Sequence, residues 1–149
     1  MVFTCAKTLK VTQLVSPAGF YGAERWIVAL GRYLEDESVE ADLLIIGNTL
    51  EQTEQLREAW ASLDLPAKVV VEAGRFDPRT IYKVARHLNR RGTSVLHTHG
   101  YKSDVIGLLA ARWSRIPLVV TPHGFGLECG TRLSTYAQIG MWAARRANV

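Results

Sequence analysis

Three of the four histidines, His97, His99 and His123, fall in two short segments that each follow an apolar run. The segments read His97-Thr98-His99-Gly100-Tyr101-Lys102-Ser103-Asp104 and Thr121-Pro122-His123-Gly124-Phe125-Gly126. Imidazoles so placed can ligate a metal, relay a proton or hydrogen-bond a ligand hydroxyl. A third segment, Ser16-Pro17-Ala18-Gly19-Phe20-Tyr21-Gly22-Ala23-Glu24, follows the first apolar run. Gly19 and Gly22 there permit positive φ and close approach of a ligand. A helix starting beside them would offer free N–H groups to a phosphate or sulfate.

Other chemistries fit less well. Three histidines with Cys129 suggest a metal, but no further cluster of Asp or His completes such a site. His97 and His99 are also expected on opposite faces of their strand. A dinucleotide site wants G-x-G-x-x-G in the first turn and an acidic residue ending the second strand. That strand ends instead in Gly47-Asn48, with Asp42 near its start. A G-x-x-x-x-G-K-[ST] loop for a nucleotide triphosphate is missing too.

The elements that must hold these turns alternate between two periods. Strands are predicted at Lys10–Ser16, Ala41–Gly47, Lys68–Glu72, Ser94–Thr98 and Pro117–Thr121. Helices are predicted at Gly22–Leu34, Glu51–Leu63, Asp77–Arg91, Ser103–Ser114 and roughly Thr131–Arg146. The first helix shows an apolar stripe of Ala23, Trp26, Ile27, Leu30 and Leu34, and the third one of Ile81, Val84, Ala85 and Leu88. Ser103 or Asp104 is the expected cap of the fourth helix. Such alternation implies βαβ units and right-handed crossovers: an α/β, doubly wound parallel sheet with helices on both faces, Rossmann-like. Ligands of such sheets bind beyond the carboxyl ends of the strands, where all three turns would lie.

The chain has 149 residues, 48% hydrophobic and 21% charged, enough for one domain with a buried core. No apolar run approaches the roughly 18 residues of a membrane span, and Met1–Lys10 lacks an apolar core of signal-peptide length. Cys5 and Cys129 alone do not make a disulfide scaffold and suit a reducing compartment, so a cytoplasmic location is expected. Residues 1–75 carry a net charge of −4 and residues 76–149 one of +8. That asymmetry suggests an anionic ligand or surface facing the second half. The basic helix with Arg79, Lys83, Arg86, Arg90 and Arg91 suits peripheral contact with an anionic membrane, against the alternative of a solvated face. Nucleic acid is not expected, since that face lacks interleaved aromatics and any recognised motif. A strand would normally follow the last helix, so residues 1–149 read as part of a longer protein. The oligomeric state is left open.

Taken in order, Gly19-Phe20-Tyr21-Gly22-Ala23-Glu24, then Val95 to Asp104, then Pro117-Leu118-Val119-Val120-Thr121-Pro122-His123-Gly124 resemble the N-terminal domain of family 4 glycosyltransferases. The resemblance runs over nearly the whole chain. It implies a retaining enzyme of GT-B architecture, whose C-terminal domain holds most of the nucleotide-sugar donor. The N-terminal domain supplies the acceptor side, and the acceptors are glycans or lipid-linked glycans. Gly19 and Gly22 would then approach the donor diphosphate, and Tyr21, His99, Lys102 and Gly124 would line the substrate. His123 corresponds to the histidine of a T-x-H-G pattern that reaches the transferred sugar, and is the expected catalytic residue. No cofactor or metal is implied beyond the nucleotide-diphosphate sugar as substrate. Tyr21 stands where the family has the first of two paired glycines. No residue offers a convincing carboxylate nucleophile: Glu24 is expected to bind the first turn's N–H groups, and Glu128 is an option that no motif supports. The alternative is a stand-alone Rossmann-like module that binds a small anion or a protein without catalysis.

Overall fold

The second strand shows why both sheet faces are covered. Leu43, Leu44, Ile45 and Ile46 are consecutive and have no solvent exposure. A strand with a solvated face would alternate; a continuous apolar run needs helices on both sides. The computed structural model describes residues 8–34, 39–74, 77–123 and 145–146, and it supplies those helices. In chain order the elements are β1 (Leu9–Val15), α1 (Gly22–Leu34), β2 (Val39–Gly47), α2 (Leu50–Ala61), β3 (Ala67–Val71), α3 (Arg79–Arg91), β4 (Val95–His99), α4 (Tyr101–Ser114) and β5 (Leu118–Thr121). The predicted fifth helix lies outside the described residues except for Arg145 and Arg146, and Cys5, Gly124 and Cys129 lie outside them too.

All pairings are parallel, in the order β3-β2-β1-β4-β5. On one face, Ile27 and Val28 of α1 and Leu56 and Trp60 of α2 pack on Val15, Leu43 and Ile45. On the other, Val84 and Leu88 of α3 and Leu108 and Ala111 of α4 pack on Leu14, Leu44, Ile46 and Leu96. The strand order reverses direction between β1 and β4, so α1 and α4 leave on opposite faces and a crevice opens between the two strand ends. Val15, His99 and Thr121 are in register at that end.

The third helix follows the expected stripe, with Val84, Ala85 and Leu88 buried. It starts two residues later than expected because Pro78 precedes it and the Asp77 carboxylate accepts the Arg79 N–H at 2.9 Å. The first helix departs from expectation. Its buried residues are Glu24, Ile27, Val28 and Gly31, whereas Trp26 is 41% exposed. Trp26 sits on the helix edge that looks along β4, and the rings beneath it explain its position.

Candidate functional site

Side chains two residues apart on a strand share a face. His97 and His99 therefore both project from β4 toward the α1 side, with their ring centroids 4.2 Å apart. This corrects the expectation of opposite faces. Gln13 pairs with His97 in register from β1, and Thr121 pairs with His99 from β5, so both project the same way. The result is a polar patch on one face of the carboxyl end of the sheet. His97 Nε2 lies 2.7 Å from the Thr121 hydroxyl. His99 Nε2 lies 2.7 Å from Gln13 Oε1, and His99 Nδ1 lies 3.0 Å from His123 Nε2. Trp26 roofs the three imidazoles, with its ring centroid 6.0, 5.5 and 5.3 Å from His97, His99 and His123.

Burial controls the charge of this cluster. It depresses His99 to a pKa of about 2, and the neighbouring His97 and His123 add to the effect. Burial likewise depresses His97 to about 4, assisted by His123. His123 is lowered by burial, while the Glu24 carboxylate opposes that shift. At neutral pH the site thus presents uncharged imidazoles under an indole. Such groups donate and accept hydrogen bonds and offer flat apolar surface, which suits a polyhydroxylated ring. Both nitrogens of His99 are occupied by its neighbours, and the described residues contain no group of three or more His, Cys, Asp or Glu arranged to hold a metal ion.

The first turn sits beside the cluster. The Glu24 carboxylate, on a residue only 5% exposed, accepts the Tyr21 N–H at 2.9 Å, as expected of a charge in a first helical turn. Neither Gly19 nor Gly22 adopts positive φ, contrary to expectation. What their lack of a side chain provides is space. A Cβ on Gly19 would stand 2.8 Å from Tyr21 Cζ, and the surroundings of Gly22 are open. Tyr21 is largely exposed and free to meet a ligand.

The turn after β4 does need its glycine: Gly100 has φ 94° and ψ 151°, a conformation L side chains rarely adopt. It lets α4 begin at once, two residues earlier than expected. Gly100 is the N-cap, and neither Ser103 nor Asp104 caps the helix through its side chain. The Ser103 hydroxyl instead lies 2.6 and 2.8 Å from the carbonyl oxygens of His99 and Gly100. Asp104 is raised to about 7 by burial, with the Thr98 hydroxyl opposing. Lys102 departs furthest from the expected grouping. Its ammonium pairs with the buried Glu72 carboxylate at the end of β3, and no described contact joins it to the histidines. Gly124 lies outside the described residues.

Gln13 and Glu72 are the residues that sequence reasoning missed. A lone glutamine inside the run Leu9–Val15 of a central strand was the available signal for the first. Glu72 carried none.

A second polar centre lies near the opposite end of the strands. Asp42 accepts the Thr12 hydroxyl at 2.7 Å and lies 2.6 Å from His87 Nε2 and 2.7 Å from Arg91 Nε. Arg91 is therefore withdrawn from the basic face of α3. Lys83, Arg86 and Arg90 remain on it and, with Lys68 of the edge strand β3, border a cavity of about 320 Å³.

The Glycosyltransferase Family 4 sequence profile matches residues 20–148. Over 73 residues the chain is 32% identical to an Escherichia coli UDP-Gal:alpha-D-GlcNAc-diphosphoundecaprenol alpha-1,3-galactosyltransferase, which covers 46% of this chain and 19% of that protein. Its fold is similar to that of the lipopolysaccharide outer core galactosyltransferase WaaB in its apo form (TM-score 0.71, 13% identity, 94% of this chain and 38% of WaaB). It is equally similar to a Listeria monocytogenes protein assigned as a UDP-N-acetylglucosamine 2-epimerase (TM-score 0.71, 14% identity, 96% and 39%). The chain thus spans about a fifth of the curated relative and under two fifths of either structure.

Proposed function

The chain belongs to glycosyltransferase family 4, and from that premise we propose that it forms the acceptor-side half of a sugar-transferring enzyme. The donor is a nucleotide-diphosphate sugar, and the acceptor is a glycan or a lipid-linked glycan. One observation carries this reading: the uncharged His97, His99 and His123 under Trp26, at the point where the strand order reverses. His123 has the shallowest place in the cluster and is the residue that meets the reacting sugar. Gly22, with open space about it, gives the donor diphosphate room beside the first turn of α1. Charge separation in the transition state is met by fixed dipoles and hydrogen bonds in the cleft rather than by a carboxylate of this half. Among the described residues the carboxylate beside the cluster, Glu24, is buried and occupied by the Tyr21 N–H, and Glu128 lies outside them.

The basic face of α3 gives this half a surface for the inner leaflet of an anionic membrane, where a lipid-linked acceptor would sit. Lys83, Arg86 and Arg90 supply its charge. The exposed Tyr82 and Trp113, with rings 6.1 Å apart across α3 and α4, supply amphipathic aromatics beside it, which corrects the expectation that this face lacks them. Among the described residues no helix is long and apolar enough to cross a membrane.

The test has two arms. A polypeptide carrying these residues together with a donor half should transfer sugar from a uridine- or guanosine-diphosphate sugar to a lipid-linked glycan. The 149-residue chain alone should show only weak calorimetric binding of the same donors. Micromolar binding by the chain alone would overturn the division of labour and favour a stand-alone binding module.

A further inference from the structure

Gln13 is an odd residue for its place. It lies in β1, the central strand, is 1% exposed, and has the apolar Leu43 of β2 as its register partner. Its amide nitrogen has no hydrogen-bond partner among the described residues. An unpaired buried donor costs about 1–3 kcal/mol. A leucine would fill similar space without that penalty. What glutamine adds is the carbonyl oxygen 2.7 Å from His99 Nε2.

That contact controls more than His99. A neutral imidazole carries one N–H, so one nitrogen donates and the other accepts. His99 is neutral and has a partner on each side: Gln13 at Nε2 and His123 at Nδ1. When the Gln13 carbonyl accepts, the His99 proton must be on Nε2, and Nδ1 is then an acceptor. His123 Nε2, 3.0 Å away, must supply the proton it accepts. His123 Nδ1 is left with its lone pair, and no hydrogen bond from a described residue reaches it. Turning the amide over would reverse every step and put the His123 proton on Nδ1. The orientation of one buried amide thus sets the tautomer of a histidine two contacts away.

We propose that Gln13 is a positioning residue: through His99 it fixes the His123 proton on Nε2 and keeps Nδ1 as an acceptor. The ligand group this selects is a hydroxyl that donates, as a sugar hydroxyl does; that identity rests on the glycosyltransferase reading, whereas the tautomer does not. The other groups facing the relay are His97 from β4, Thr121 from β5 and Glu24 and Trp26 from α1. Glu24, held by the Tyr21 N–H, adds no proton to the chain of contacts.

The test is imidazole nitrogen NMR on the 149-residue chain at pH 7, where long-range proton–nitrogen couplings report which ring nitrogen is protonated. The expected spectrum shows His99 and His123 each protonated on Nε2. Gln13→Leu should leave the fold intact and convert His123 to a mixture of tautomers, and Gln13→Met is a second replacement of similar length. A wild-type His123 protonated on Nδ1, or a His123 tautomer unchanged in a folded variant, would overturn the proposal; the wild-type spectrum decides even if neither variant folds. With the donor half present, Gln13→Leu should lower kcat about 10-fold with KM for the nucleotide sugar unchanged. Absence of any transfer by wild type, with the expected tautomers, would instead count against the glycosyltransferase reading alone.

Discussion

His123 Nε2 lies 3.0 Å from His99 Nδ1, and this contact ties the turn after β5 to the end of β4. Pro122 restricts Thr121 to extended conformations, so the approach to His123 is stiff as well. His99 is 2% exposed and His123 is only half-buried. The inner ring therefore braces the outer one.

That arrangement separates activity from stability at His123. With the donor half present, His123→Ala should lower kcat by about 100-fold or more. The melting temperature should stay within a few degrees, because truncation removes one half-buried ring and one hydrogen bond. A large loss of stability with normal turnover per folded molecule would show the histidine to be structural.

The same burial makes the fold sensitive to acid. His97 and His99 have folded-state pKa values of about 4 and about 2, below the ordinary 6.5. Their stabilising effect is complete above 6.5 and is lost as pH falls through the folded values, because the unfolded chain binds protons that the folded one refuses. Asp104 acts in the opposite sense. Raised from 3.8 to about 7, it keeps a proton in the fold that the unfolded chain releases, so it disfavours folding as pH rises through that window. At pH 5 two histidine protons oppose one carboxyl proton, which leaves the unfolded state about one proton richer. Stability should thus rise by about 1 kcal/mol per pH unit between pH 4.5 and 6. Urea titrations at several pH values measure it. His97→Gln should flatten the slope and Asp104→Asn should steepen it; a wild-type slope of the opposite sign would show that the rings are not desolvated.

The elements and their order were legible because apolar periodicity is set by which faces are buried, and β2 and α3 state those faces plainly. The three loops were legible from their glycines and histidines. Pairings between distant residues were not. Nothing local to Lys102 indicates that Glu72, thirty residues earlier, holds its ammonium. Trp26 fits the apolar stripe of α1 by spacing, yet it roofs a polar cluster, because period alone does not tell a core edge from a crevice wall. Arg91 reads as one more surface cation until Asp42, on a strand three elements earlier, is placed beneath it.

The basic face yields a binding prediction. The chain should co-sediment with vesicles containing anionic lipid and release as salt rises, since exposed charges act only within a Debye length. Arg86→Glu with Arg90→Glu should weaken binding by about 30-fold or more, at about 1 kcal/mol for each basic side chain lost. Arg91 is left unaltered, because its loss would unpair the buried Asp42. Equal binding to neutral vesicles, or none at either composition, would make α3 an ordinary solvated face.

Two glycines separate packing from ligand approach. A Cβ on Gly31 would stand 2.7 Å from Trp60 Cζ3 and 3.0 Å from Leu63 Cδ1. Trp60 cannot yield easily: it has no solvent exposure, and its indole N–H donates to the Pro66 carbonyl at 3.1 Å. Alanine favours a helix over glycine by about 1 kcal/mol, but overpacking a filled core costs about 1–3 kcal/mol. Overpacking should win, and Gly31→Ala should lower the melting temperature by about 3 °C or more. Gly22 is the contrasting case, being the first residue of α1 with nothing within 4 Å of an added Cβ. Gly22→Ala should leave the melting temperature unchanged or slightly raised. With the donor half present it should raise KM for the nucleotide sugar, because the methyl group occupies the space left for the diphosphate. Unchanged KM in a well-folded Gly22→Ala protein would remove the first turn of α1 from the donor site.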